Sequence, residues 1–101
     1  IVRPTLHLTK RAEAHLRDAH RWYESQRGGL GDQFVQAVET KLVQILEWPR
    51  SFVELEYGIR CALVDRFPYR VMFSTGRSRT VILAVHHQRR DPRTWTDSES
   101  P

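Results

Sequence analysis

The residues best equipped for chemistry are cations and imidazoles set late in the chain: Arg60, Arg70, the pair His86-His87, and Arg89, Arg90 and Arg93. A guanidinium is a planar fork that grips a phosphate or carboxylate at two points, and imidazole exchanges a proton near neutral pH. Such groups on neighbouring strands could hold an anion and move a proton beside it. Glu54 and Glu56 precede Arg60 and could act as a base, although a loop carboxylate is ordinarily just solvated. Tyr69 and Trp95 could stack on a planar ligand or pack back onto the domain. Asp91 and Pro92 after Arg90 read either as a strand-end cap or as part of a binding surface.

The elements that must position these groups follow from periodicity. Residues 2–8 alternate Val2, Pro4, Leu6 and Leu8 with Arg3, Thr5 and His7, a pattern that predicts a first or edge strand. Thr9 stands where a helix N-cap belongs, and Ala12, Leu16, Ala19 and Tyr23 form an apolar stripe that predicts a helix over 10–27. Gly28-Gly29 is expected to close it, with Gly31-Asp32 at the start of the next. From Leu30 the positions Phe34, Ala37, Val38, Lys41, Leu42, Ile45 and Leu46 keep helical period until Pro49 stops it after Trp48. The pair is expected to be an antiparallel helical hairpin.

After a loop over 51–58, strands are expected at 59–64, 69–75 and 80–85, joined through Asp65-Arg66-Phe67-Pro68 and Gly76-Arg77-Ser78-Arg79. The fold class is then α+β: an N-terminal strand, an antiparallel helical hairpin, and a three-stranded antiparallel meander forming one curved sheet. Strict alternation would place His86 on one face with Ile82 and Ala84, and His87 on the other with Val81, Leu83 and Val85, so that only one histidine points into a given site. Tyr23, Phe34, Phe73 and Trp48 fall on apolar stripes and are expected in the core, whereas Trp22 falls off its stripe and is expected against a loop or a partner.

Composition narrows the class of protein. A chain of 101 residues, 40% hydrophobic and 28% charged, suits one globular domain, expected over 1–95 with a disordered tail at 96–101. Cys61 is the only cysteine, and no Cys/His cluster has zinc-ligand spacing, so neither a disulfide framework nor a metal or other cofactor is expected. The first residues lack a signal pattern, the missing initiator Met points to a trimmed start, and no apolar run approaches the ~20 residues of a membrane span. A cytoplasmic protein without membrane contacts is the expectation. A net charge of +4 and a pI near 9.8 favour an anionic partner: nucleic acid, a ribosomal surface, or an acidic protein segment.

Three blocks in order carry a resemblance over about residues 2–95. They are Trp22-Tyr23-Glu24 with Gly28-Gly29-Leu30-Gly31-Asp32-Gln33-Phe34; Ile59-Arg60 with Arg66-Phe67-Pro68-Tyr69-Arg70-Val71; and His86-His87-Gln88-Arg89-Arg90-Asp91-Pro92 with Trp95. Together with Trp48-Pro49 they resemble the RelE/ParE toxin superfamily, and the first block looks like the helix junction of its ParE-like branch. The resemblance implies the growth-inhibiting, plasmid-stabilising toxin of a type II toxin–antitoxin system, held by a cognate antitoxin in a hetero-oligomer.

Two activities share that fold, so the site must decide between them. RelE-like members cut messenger RNA on the ribosome, where a base must take the 2′-hydroxyl proton, cations must hold the phosphate, and an acid must protonate the leaving oxygen. Arg60, His86 or His87, and Arg89 would supply those parts. ParE-like members inhibit DNA gyrase without an enzymatic step, and Arg60, Tyr69, Arg70, Arg89, Arg90, Arg93 and Trp95 would then bind the target or the antitoxin. The loop 51–58 carries no lysine and no tyrosine follows the last strand, two departures from the RelE-like pattern that favour the gyrase reading. A non-toxic remnant that only binds antitoxin is the third alternative.

Overall fold

The computed structural model describes residues 5–89. Strand β1 (Thr5–Leu8) leads into helix α1 (Lys10–Gln26), which turns back into helix α2 (Leu30–Glu47). A single 3-10 turn at Pro49–Ser51 precedes β2 (Val53–Glu54), β3 (Ile59–Leu63), β4 (Tyr69–Thr75) and β5 (Arg79–His87). The strands form one sheet in the order β1-β5-β4-β3-β2, parallel where β1 meets β5 and antiparallel elsewhere. The α+β order is the expected one, but the segment expected as a loop contains β2, whose Val53 and Glu54 pair with Cys61 and Arg60. Residues 2–4 of the expected first strand, Arg90, Asp91, Pro92, Arg93, Trp95 and the tail at 96–101 lie outside the described residues.

Thr9 does what its position predicts, and more. Its hydroxyl accepts from Ala12 N–H at 3.1 Å as the N-cap of α1, and donates to Leu83 O at 3.1 Å. Its own N–H reaches Ile82 O at 3.0 Å, so the end of β1 and the start of α1 are both tied to β5.

The junction between the helices differs in detail from the expectation. Helix α1 ends at Gln26, with Arg27 extended as its C-cap, and the left-handed residue is Gly29, which caps α2. Glycine has no side chain to accept from the first amides of a helix, which lack intrahelical partners. Glu24, in the last turn of α1, supplies the acceptors instead. Its Oε2 accepts from Gly29 N–H at 3.1 Å, and its Oε1 from Gly31 N–H at 2.8 Å and Asp32 N–H at 3.3 Å. The Gly29 bond, aided by those from Asp32 and Gly31, holds the Glu24 carboxyl below its ordinary range. Gly31 lies where the helices touch: a Cβ there would fall 2.5 Å from His20 O and 2.6 Å from Glu24 Cγ.

The core lies between the hairpin and the sheet. Ala12, Ala19 and Tyr23 of α1 and Phe34, Ala37, Val38 and Ile45 of α2 pack on Ala62, Val64, Val71, Phe73, Ile82 and Val85. Ile82 and Val85 share this face although three residues apart, because Ala84 pairs with Met72 and Ile82 with Phe73, leaving Leu83 as an extra residue. This bulge shifts the alternation. Ile82 therefore belongs to the core of Val85, not to a face shared with Ala84, which packs in a second cluster with Met72 and Ile59. Tyr23, Phe34 and Phe73 are core residues as expected, but Trp48 is 62% exposed, since it is the C-cap that follows α2. Lys41, on the inner stripe, keeps its ammonium satisfied by Gln44 Oε1 at 2.8 Å and Asp65 at 3.6 Å.

Two outcomes test this account of the hairpin. Gly31→Ala should force the helices apart and cost about 1–3 kcal/mol in chemical denaturation, the usual penalty of overpacking. Because the folded-state pKa of Glu24 is depressed, its contribution is present above the ordinary glutamate range near 4.5 and is lost as pH falls through the folded value. Glu24→Gln should therefore melt lower than the parent at pH 7, and the two melting curves should converge as the solution is acidified.

Candidate functional site

The carboxyl end of β5 meets the middle of α1, and here the structure gathers most of the chemistry. A cleft of about 320 Å³ is lined by His15, Asp18, Ala19 and Trp22 of α1 and by Tyr69, Val85, His86 and His87 of the sheet. Beside it, a second depression of about 490 Å³ is lined by Trp22, Tyr23, Pro68, Tyr69, His87 and Arg89. Both histidines line the first cleft, contrary to the expectation that alternation would admit only one. The cleft opens at a strand end beside a helix, not over one sheet face, and so collects side chains from both sides of the strand.

Each imidazole has a definite setting. His86 is 3% exposed, pairs in register with Arg70, and meets the ring of His15 edge-to-face with centroids 4.9 Å apart. His87 pairs with Tyr69, their rings 5.3 Å apart, and its Nδ1 accepts from Arg89 N–H at 3.1 Å. His15 Nδ1 accepts from Val85 N–H at 3.1 Å, on the stretch of β5 that extends past its pairing with β1. Sequence reasoning passed over His15, although its place between Ala12 and Ala19 beside the apolar stripe was a signal for it.

Arg70 lies near this end of the sheet and donates to Gln88 O, bracing the chain as it leaves β5. On β3 its charge favours the Cys61 thiolate, but burial dominates and pushes the thiol up, which makes Cys61 a poor nucleophile. Tyr69 is half-buried and meets Phe34 edge-to-face at 4.9 Å and Tyr23 at a steep tilt at 6.0 Å, so most of its ring belongs to the core while part of it lines the cleft. The Tyr23 hydroxyl is pushed up by burial and then by Tyr69 beside it.

Arg60 does not join this group. Its guanidinium donates to Phe52 O at 2.7 Å, Arg50 O at 3.4 Å and Glu54 Oε1 at 3.1 Å, which ties the 3-10 turn and β2 onto β3. In register Arg60 faces Phe73, whereas His86 faces Arg70, opposite Leu63. Two strand spacings and three residues separate them, roughly 14 Å between backbones. Glu54 is engaged by Arg60 and is not a free base.

One cluster could suggest a metal: His20, Glu24 and Asp32 present ligand atoms within 4.8 Å of one another. Both Glu24 oxygens are committed to the amides of α2, and His20 Nε2 lies 2.9 Å from Asp32 Oδ1. A cation would have to break the helix cap, so the group is read as the clamp of the hairpin.

With this geometry in place, comparison with known proteins identifies the class. The family model described as the ParE toxin of type II toxin–antitoxin system, parDE, matches residues 6–92, and the chain belongs to that family. A solved structure described as the chromosomal ParDE TA system from P. aeruginosa is similar in fold, with a TM-score of 0.74 at 19% identity. The likeness covers 83% of this chain and 95% of that one. No curated protein matches the chain. The described helices include none long and apolar enough to cross a membrane.

The tethered state of Arg60 has a measurable consequence. Arg60→Ala leaves two carbonyls and a carboxylate without their donor and should lose about 1–3 kcal/mol in urea denaturation. Glu54→Gln breaks only the half-exposed ion pair and should lose less than about 1 kcal/mol.

Proposed function

We propose that the chain is a growth-inhibiting toxin that acts on DNA gyrase by binding, without an enzymatic step of its own, and that an acidic cognate antitoxin neutralises it in a cytoplasmic hetero-oligomer. The observation that carries the gyrase reading is the commitment of Arg60. Cutting RNA in the expected way needs a cation, a proton acceptor and a proton donor around one phosphate. Arg60 is spent on the 3-10 turn and β2, two strands and three residues along the sheet from His86. Segment 51–58 also brings no lysine. His87, Arg89 and Tyr69 do line one depression, a surface suited to gripping a partner.

Purified chain is added in parallel to a gyrase supercoiling assay and to programmed ribosomes. Accumulation of cleaved plasmid with intact message is the expected result. Cut message with normal supercoiling would make the protein a ribosome-dependent endoribonuclease, and inactivity in both assays with retained antitoxin binding would make it a non-toxic remnant. Replacing His86 and His87 together with Ala should leave gyrase inhibition within a few-fold of the parent, provided circular dichroism shows the variant folded. An endoribonuclease would lose its activity.

A further inference from the structure

Trp22 is large, apolar and 56% exposed, and three separate depressions meet at its side chain. The third, of about 330 Å³, is lined by Asp18, Arg21, Trp22 and Ser25. Its indole stands edge-to-face on Tyr23, centroids 5.0 Å apart, so a rigid core ring supports it from below. Arg21 flanks it on α1 and Arg89 lines the depression on the other side. Neither guanidinium has a carboxylate within ion-pair distance among the described residues. A supported, solvent-exposed indole between exposed arginines has the composition of an interface hot spot, in which Trp, Tyr and Arg predominate.

We propose that this Trp22-centred surface is the anchor site for the antitoxin, taking an acidic segment that seats an apolar side chain against Trp22 and Tyr69 and directs carboxylates to Arg21 and Arg89. The proposal deepens the toxin–antitoxin reading and rests on it. Charge complementarity selects the occupant: exposed Arg21 on α1 and Arg89 past β5 line the depressions and make their rim cationic. Asp18 lines two of the three depressions. A continuous phosphate backbone would be repelled there, whereas a polypeptide can place a neutral or basic residue opposite it. The surface therefore favours an acidic protein segment over a nucleic acid strand.

The test titrates the antitoxin encoded by the adjacent reading frame into the full chain and into Trp22→Ala, Trp22→Phe and the double variant Arg21→Glu with Arg89→Glu. Calorimetry reads affinity, and circular dichroism confirms that each variant is folded. Trp22→Ala should weaken binding roughly 30-fold or more, the loss expected of a hot-spot residue, while Trp22→Phe retains most of the affinity. The double charge reversal should weaken binding and flatten its dependence on salt. Full-strength binding by both Trp22→Ala and the charge-reversed variant would overturn the anchor while leaving the antitoxin reading intact. No binding even by the parent chain would overturn that reading, and the anchor with it. Two further arms decide against other occupants. Trp22-dependent binding of a single-stranded oligonucleotide would assign the surface to nucleic acid, and a dimer lost on Trp22→Ala in sedimentation would assign it to a second copy; either result overturns the proposal.

Discussion

The arrangement of this protein depends on one carboxylate. Glu24 reaches from the last turn of α1 to the first amides of α2, and its oxygens replace the side-chain cap that Gly29 cannot provide. Two of the three glycines at the junction serve the same contact. Gly29 takes the left-handed backbone that lets the chain reverse, and Gly31 leaves room for α2 to lie against His20 and Glu24. With the hairpin fixed at this end, Tyr23 and Phe34 face one another at 5.2 Å and bring Phe67 and Tyr69 into a single aromatic cluster. That cluster seats the hairpin on the sheet and sets the height of Trp22 above the end of β5.

Strand β5 is the second constraint. It is central in the sheet only over the stretch that β1 covers, from Arg79 to Ile82. Beyond that point its free edge is met by groups from the start and middle of α1: Thr9 on the carbonyls of Ile82 and Leu83, and His15 on the amide of Val85. An uncovered edge would present unpaired amides and carbonyls to any passing strand, and these contacts close it with side chains. The bulge at Leu83 falls where β1 gives way to α1, so the strand twists as its neighbour changes. The result is a strand end beside a helix, where Arg89 is exposed, His87 half-buried and His86 buried.

The arginines of this domain fall into two groups by what they touch. Arg60 and Arg70 act within the domain, each donating to main-chain carbonyls that hold an irregular segment in place. Arg17, Arg21 and Arg89 stand outside, without carboxylate partners among the described residues. A basic domain of the ParE toxin family thus divides its charge into a share that braces the fold and a share that faces solvent.

The division between what the sequence determined and what the fold decided follows the reach of the interactions. Helical stripes, the Thr9 cap and the turns are local, set within a few residues, and the order of elements could be read from them. The three motif blocks were legible for the same reason: each packs its spacing into a short run. Fates set by distant partners were not legible. Arg60 looked like an available cation until the 3-10 turn and β2 folded onto it. Trp48 looked like core until α2 ended at Glu47 and left it in solvent. A single inserted residue at Leu83 moved Ile82 to the other face, and the meeting of β5 with α1 brought both histidines to one cleft. Spacing along a chain fixes which face a residue takes only while the element stays regular, and which partner it meets only when that partner lies close in sequence; the rest was decided by packing.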